Sequence, residues 1–352
     1  MDIGLKGNDF LSLKEFDLKS GDESNVVLLL GENKSGKTQA LKLVYSFLSA
    51  LNKLKVETVN NHGNLDNNMI NVLSANFPDH FYEELRENLF IKSLFDYLDA
   101  NPNCEIGFIL NKIKYQWGTE INPEPQLNFS AIKQNETLKV LKPLVISPNG
   151  FGDYYKGIFA IQRYYPDTVI FPNYISDLIF DLFIVSDARR KKDSDRFTKE
   201  INEIVTLLNV DFNISDNRII VLEKGKEYPL EAVASGLKTF APIVLAMKHG
   251  LIEDSLIVDE PEVSLHPAWV EVMAELLYKI SKKGVKVFIA THSDVFIEKM
   301  NWFLKHDEEF NLDVWKFERK EDGNHARTLE LEDREIPTAE YLDVYYNIVK
   351  GF

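Results

Sequence analysis

The first nineteen residues alternate between apolar and polar positions, with Leu11 and Leu13 and then Phe16 and Leu18 separated by polar residues. Followed by the turn-prone Ser20-Gly21-Asp22, this pattern predicts an antiparallel hairpin. The pattern then changes. Val26-Val27-Leu28-Leu29-Leu30 is an unbroken apolar run ending at Gly31, as expected of a strand buried on both faces. Leu41, Val44, Phe47, Leu48 and Leu51 follow on one helical stripe, so strand, glycine-rich loop and helix are predicted in that order.

Residues 53–76 are polar and Asn-rich and read as an exposed connection, with a helix expected from about His80 to Leu98. Alternation from Glu105 to Leu138, broken by Asn122-Pro123-Glu124-Pro125, predicts further antiparallel strands that extend the first sheet. Two helices are expected between Asn173 and Leu208, one marked by Ile175, Leu178, Ile179, Leu182 and Phe183, the other by Phe197, Ile201, Ile204 and Leu208. A basic linker, Arg189-Arg190-Lys191-Lys192, joins them, and the absence of sustained heptads favours a compact helical lobe over long coiled-coil arms. Near the end, Val314 to Phe317 and Thr328 to Leu331 flank the turn Glu321-Asp322-Gly323-Asn324, a second hairpin signal, after which a last helix is expected. No internal repeat is visible.

The chemistry lies at the ends of the apolar runs. Gly31-Glu32-Asn33-Lys34-Ser35-Gly36-Lys37-Thr38 fits the G-x-x-x-x-G-K-[ST] phosphate loop in its required strand-to-helix context. Its glycines let backbone N–H groups turn onto phosphates, Lys37 reaches the β- and γ-phosphates, and Thr38 ligates Mg²⁺. Ser255 to Val258 is a second buried strand, ending in Asp259-Glu260-Pro261 like a Walker B strand. Asp259 is expected to hold Mg²⁺ through water and Glu260 to polarise the attacking water. After a helix opened by Pro267 and closed before Gly284, a third strand, Val285 to Ala290, ends in Thr291-His292-Ser293. His292 is thereby placed at the same sheet edge, within reach of a γ-phosphate. The other six histidines show no metal-ligand spacing and read as structural. Ser235-Gly236, opening the apolar segment Phe240 to Met247, reads as a helix N-terminus with free N–H groups, too far along the chain to belong to the phosphate loop itself.

Composition narrows the partners. With 352 residues, 45% of them hydrophobic, the chain can bury a large domain with an inserted lobe. A formal net charge of −15 disfavours a broad nucleic-acid-binding face, so any such contact is local. Cys104 is the one cysteine, which excludes disulfide frameworks and Cys-based metal sites and suits a reducing compartment. Neither a secretory leader at Met1 to Lys6 nor an apolar run of membrane-spanning length is read, and a cytoplasmic protein without membrane contact is expected.

The order of phosphate loop, Ser-Gly signature, Asp-Glu-Pro strand and Thr-His-Ser strand end resembles ABC-type P-loop ATPases of the soluble SMC, RecF and OLD-like branch. The run Asp-Glu-Pro-Glu-x-x-Leu-His-Pro is most similar to stand-alone prokaryotic AAA/OLD-like ATPases, many linked to DNA repair and phage defence. The resemblance implies an α/β ABC-type head: a mixed sheet core, an antiparallel β subdomain and an inserted helical lobe. It implies one ATPase domain over 1–352, with 1–55 and 230–352 as the nucleotide-binding core, 77–170 as a β-rich and helical insertion, and 171–230 as the helical lobe leading to the signature. It assigns ATP contacts to Gly31, Asn33, Ser35, Gly36, Lys37, Thr38 and Gln39, and gives Ser235, Gly236 and Lys238 the γ-phosphate bound by the opposite subunit. Thr38 and Asp259 then hold Mg²⁺, while Glu260, the switch histidine His292 and Lys37 carry the chemistry. The signature Ala-Ser-Gly-Leu-Lys departs from the Leu-Ser-Gly-Gly-Gln of transporter ATPases and argues against a transporter subunit; no glutamine loop is assignable among Gln126, Gln134 and Gln162.

The function so implied is an ATP-hydrolysing homodimer that sandwiches ATP, senses or clamps nucleic acid, and controls a separate effector, a nuclease or toxin, since little chain follows His292. Arg189 to Lys192, with Arg196 and Lys199, offers a local phosphate contact, although a solvated lobe tip is the commoner meaning of such a run. The alternative is an ATP-binding scaffold or antitoxin-like subunit with little turnover, against which Glu260 counts.

Overall fold

The computed structural model describes residues 2–62, 67–91, 93–111, 113–118, 122–128, 142–147, 151–164, 171–187 and 195–337. Strand β1 (Ile3–Phe10) pairs antiparallel with β2 (Leu13–Ser20). The turn falls at Leu11-Ser12, earlier than the apolar spacing suggested, with Leu11 at φ 53°. β3 (Val26–Gly31) is buried along its whole length. Its alternate residues serve opposite layers, Val26, Leu28 and Leu30 facing one core and Val27 and Leu29 the other.

Helix α1 (Lys37–His62) continues well past Lys53, and α2 (Asn67–Leu89) begins at Asn67, so the polar segment expected to be a connection is largely helical. The helix expected up to Leu98 ends at Leu89, and α3 (Leu94–Ala100) starts afresh behind Ser93, whose hydroxyl accepts the N–H of Asp96 at 3.2 Å. From Ala40 to Leu51 almost every side chain of α1 is buried. Phe47 lies at the centre of that layer, stacked on Phe108 with ring centroids 4.1 Å apart and edge-on to Phe77 and Phe81. Ser49 and Asn88 donate to the buried carboxylate of Glu84, and Lys53 pairs with it at 2.7 Å.

β4 (Glu105–Leu110), β5 (Ile113–Gly118) and β6 (Asn122–Asn128) extend the first sheet through β1, as the alternation predicts. Pro123 and Pro125 do not break β6, because it is the outermost strand and prolines need no ladder partner there. The alternation read beyond Asn128 lies outside the described residues. β7 (Pro143–Ile146) and α4 (Phe151–Tyr164) fall in the span read as a β-rich and helical insertion, although neither was read as a separate element, and β7 pairs with β11. α5 (Asn173–Asp187) and α6 (Thr198–Leu208) are the two expected helices, and the basic linker between them lies outside the described residues.

The segment read as purely helical lobe also holds an antiparallel sheet, β8 (Asp211–Ser215), β9 (Arg218–Glu223) and β10 (Lys226–Pro229). α7 (Ser235–Lys248), β11 (Ser255–Asp259), α8 (Pro267–Lys282), β12 (Lys286–Thr291), α9 (Asp294–His306), β13 (Leu312–Lys320) and β14 (Gly323–Leu329) complete the described chain. The expected last helix lies outside it.

One mixed sheet of 11 strands results, in the order β6-β5-β4-β1-β2-β14-β13-β3-β12-β11-β7. The run β13-β3-β12-β11-β7 is parallel throughout, and an antiparallel wing is joined to it by the β13–β14 hairpin. Register fixes the site. Leu30 is opposite Thr291, and Ala290 is opposite Asp259, so β3, β12 and β11 end at one edge. The mixed α/β fold, with the phosphate-loop strand β3 inside the parallel run, is the class the sequence predicts. Among the described residues no helix is long and apolar enough to cross a membrane.

Candidate nucleotide site

The phosphate loop leaves β3 at Gly31. At Gly36, φ is +101° and a Cβ would stand 2.5 Å from Cδ2 of Leu13, so only glycine lets the loop pass the β1–β2 turn. Lys37, the first residue of α1, folds back so that Nζ donates to the carbonyls of Gly31 (2.6 Å) and Glu32 (2.8 Å). Burial holds its pKa below the usual lysine range, against the pull of Glu260, Asp259, Glu262 and Glu32. Two neutral carbonyls are weaker partners for an ammonium than phosphate oxygens. Ser35 Oγ is buried without a hydrogen-bond partner among the described residues, a second group in the loop that an incoming anion would satisfy.

Gln39 holds the loop from behind. Its Oε1 accepts from the Ser12 hydroxyl (2.6 Å) and backbone N–H (3.2 Å). Asn324, from the β13–β14 turn, donates to Ser12 Oγ (2.9 Å) and to the Lys34 carbonyl (3.0 Å). Ser12 and Asn324 were not foreseen, since nothing in the sequence brings residues 312 positions apart together. Ser12, Asn33, Lys34, Ser35, Gly36, Lys37, Thr38, Gln39 and Glu260 line an open cleft of about 330 Å³.

At the edge of that cleft, the hydroxyl of Thr38 donates to the carboxylate of Asp259, 3.0 Å from Oδ2 and 3.3 Å from Oδ1. Burial pushes the Asp259 pKa up to about 6; the Thr38 hydrogen bond opposes the shift and Glu260 adds to it. A hydroxyl and a desolvated carboxylate in contact are the hard oxygen donors that a small divalent cation takes, and Mg²⁺ fits them. Mg²⁺ would supply charge neutralisation on the β- and γ-phosphate oxygens. Glu260 adopts φ 54°, unusual for a residue with a side chain, while its N–H donates to the Ala290 carbonyl at 2.9 Å. The chain therefore turns sharply after Asp259, and it is Glu260 of the two that lines the cleft.

His292 follows β12 as predicted, its Nδ1 lying 3.9 Å from Glu260 Oε1 and 3.2 Å from Glu262 Oε1. Glu262 was visible in the sequence, but no role was assigned to it. The same Oε1 accepts from the Thr291 hydroxyl (2.8 Å) and the His292 backbone N–H (2.9 Å). His266, read as structural, caps α8 by accepting the Ala268 N–H at 3.3 Å. No cluster of three metal-binding side chains exists among the described residues.

Ser235 and Gly236 start α7, whose N-cap Ala234 offers no side-chain bond, so the first N–H groups lack a capping side chain. A Cβ on Gly236 would lie 2.8 Å from the Trp269 ring, which makes glycine a packing requirement there. Lys238 pairs with Asp153 at 2.6 Å. Ser235, Gly236 and Lys238 are not among the residues that line the phosphate-loop cleft. Arg196, read as a possible phosphate contact, instead donates to the carbonyls of Glu253 and Lys283, each at 2.6 Å, and ties the lobe to the core. The side chains of Gln126, Gln134 and Gln162 lie outside those described, and the glutamine loop stays unassigned.

Among solved structures, the chain is similar to an SMC head bound to the C-winged helix domain of ScpA, with TM-score 0.52 and 13% identity over 94% of this chain and 97% of that one. The SMC head domain from Thermotoga maritima matches with TM-score 0.47 and 11% identity over 93% and 98%. The likeness to the ScpA-bound SMC head is a likeness of fold. A search of the curated proteins finds no match. Residues 105–298 match the family model described as "AAA domain, putative AbiEii toxin, Type IV TA system", a span that covers β11 with Asp259 and β12 with His292, and the chain belongs to that family.

Proposed function

We propose that the protein is a Mg²⁺-dependent ATPase whose sites are completed when two copies pair head to tail across bound ATP. On this reading Lys37, Ser35, Gly36, Asn33 and Thr38 hold the triphosphate, Thr38 and Asp259 hold the cation, and Glu260 polarises the attacking water beside His292. One observation carries the pairing: the Ser235-Gly236 helix terminus, an anion-binding element by construction, stands outside the phosphate-loop cleft of its own chain. A second copy related by a two-fold axis would bring each terminus to the other's cleft.

The pairing would gate a contact with nucleic acid and a separate effector, in the manner of defence or repair ATPases. The toxin–antitoxin description of the family supports a protein partner, and the ScpA-bound SMC head is a case of this fold carrying one. Hydrolysis measured against protein concentration, with and without DNA, for wild type, Glu260→Gln and Ser235→Arg tests the proposal. Turnover per chain that rises with concentration, disappears in both variants and responds to DNA is expected. Slow turnover indifferent to all of these would leave an ATP-binding scaffold.

A further inference from the structure

Glu262 is the least explained group near the site. It is the second acid after β11, its side chain is only 8% exposed, and it lies against the end of β12. One oxygen, Oε1, receives the Thr291 hydroxyl and the His292 backbone N–H, and it lies 3.2 Å from His292 Nδ1. The other, Oε2, is buried with no hydrogen-bond partner among the described residues. A carboxylate kept out of water with half its acceptor capacity unused is costly, and a purely structural tie between two strand ends needs no charge.

We propose that Glu262 is a positioning residue for the histidine: it holds His292 with the proton on Nδ1, so that Nε2 is the ring nitrogen presented to the nucleotide. The inference rests on the ATPase reading of the site and deepens it. A carboxylate behind a catalytic imidazole sets both tautomer and ring orientation. Nε2 then accepts a hydrogen bond when the ring is neutral and donates one to an anionic oxygen when it is protonated. The charged groups facing the ring are Glu262, Glu260 at 3.9 Å, and Asp294 at the start of α9, whose carboxyl burial and Glu298 hold above the usual range against the pull of His292. Only Glu262 also holds the backbone N–H of His292, so only Glu262 fixes the ring and its backbone together. The 3.2 Å contact is somewhat long, as such contacts commonly are before substrate binds.

The backbone donor makes the test selective. In Glu262→Gln the amide oxygen must face the fixed N–H of His292 and the Thr291 hydroxyl, so an acceptor remains for Nδ1. In Glu262→Ala no acceptor remains. The experiment is ¹⁵N NMR of the His292 ring, assigned with His292→Asn, in the full-length chain at neutral pH, together with ATP turnover and thermal unfolding of each variant. The expected result is the Nδ1–H form in wild type and in Glu262→Gln, and the Nε2–H form in Glu262→Ala with turnover lower by about 10²-fold and partly retained in the Gln variant. An Nε2–H ring in wild type, or an unchanged tautomer and turnover in Glu262→Ala, overturns the proposal. Should Glu262→Ala unfold, the wild-type and Gln spectra still decide. If wild type shows no turnover, the ATPase reading falls by itself, while the tautomer still reports on Glu262.

Discussion

The hydroxyl of Thr38 lies 3.0 Å from the carboxylate of Asp259, across 221 positions of sequence. Two parallel strands, β3 and β11, end at the same sheet edge with β12 between them, and the contact follows from that register. It concentrates the oxygen donors of the proposed Mg²⁺ site at a point where burial already opposes the charge of one of them.

That opposition predicts a trade between stability and function. The Asp259 pKa stands at about 6, above the ordinary carboxyl value, so the folded state holds the proton more tightly than the unfolded chain. Its contribution to stability is fully present below the ordinary value and is lost as pH rises through about 6. Asp259→Asn should therefore stabilise the nucleotide-free protein at pH 8 by about 1–3 kcal/mol, with little effect at pH 4, while removing Mg²⁺-dependent hydrolysis. Thermal unfolding at the two pH values checks it.

Glu260→Gln should keep ATP binding and lower turnover by about 10²–10⁴-fold, the range for loss of a general base. Bound nucleotide should then hold the paired form. Phosphate release and size-exclusion chromatography with ATP measure the two effects, and a variant with turnover near wild type would remove Glu260 from the chemistry.

Gly36→Ala places a Cβ 2.5 Å from Leu13 and holds alanine at φ +101°. The substitution should destabilise the fold by about 1–3 kcal/mol and abolish nucleotide binding. Calorimetry with ATP, beside a denaturant titration, separates the two losses.

Phe47→Ala removes the ring at the centre of the Phe77, Phe81, Phe108 and Tyr115 cluster, which does not line the phosphate-loop cleft. A loss of about 3–5 kcal/mol is expected in chemical denaturation, with the affinity of the remaining folded protein for ATP unchanged.

The placement of the phosphate loop, the Asp-Glu pair and His292 at the ends of β3, β11 and β12 was legible because each follows an unbroken apolar run that marks a buried strand. The helices over 53–76 were not, because asparagine disfavours helix individually, whereas extending a helix already nucleated on the buried turns of α1 is easy. β7 has four residues, too short for any period to register. The β8–β10 sheet left a signal that went unread: Asp216-Asn217 and Lys224-Gly225 both take positive φ at two-residue turns, as tight hairpins require. Ser12 and Asn324 reach the site only through the fold, since strand order and register decide which distant loops meet, whereas Glu262 is carried there by the chain beside Glu260 and only its contact with the end of β12 depends on the fold.

The central claim, that each site is shared between two copies, is tested most directly by mixing two inactive variants. Ser235→Arg keeps an intact phosphate loop and cation site, and Asp259→Asn keeps an intact signature helix. If the sites are composite, each mixed pair contains one whole site, and an equal mixture should regain about a quarter of wild-type turnover under random two-fold pairing. Two folded, pairing-competent variants that stay inactive together, while wild-type turnover per chain ignores concentration, would contradict it.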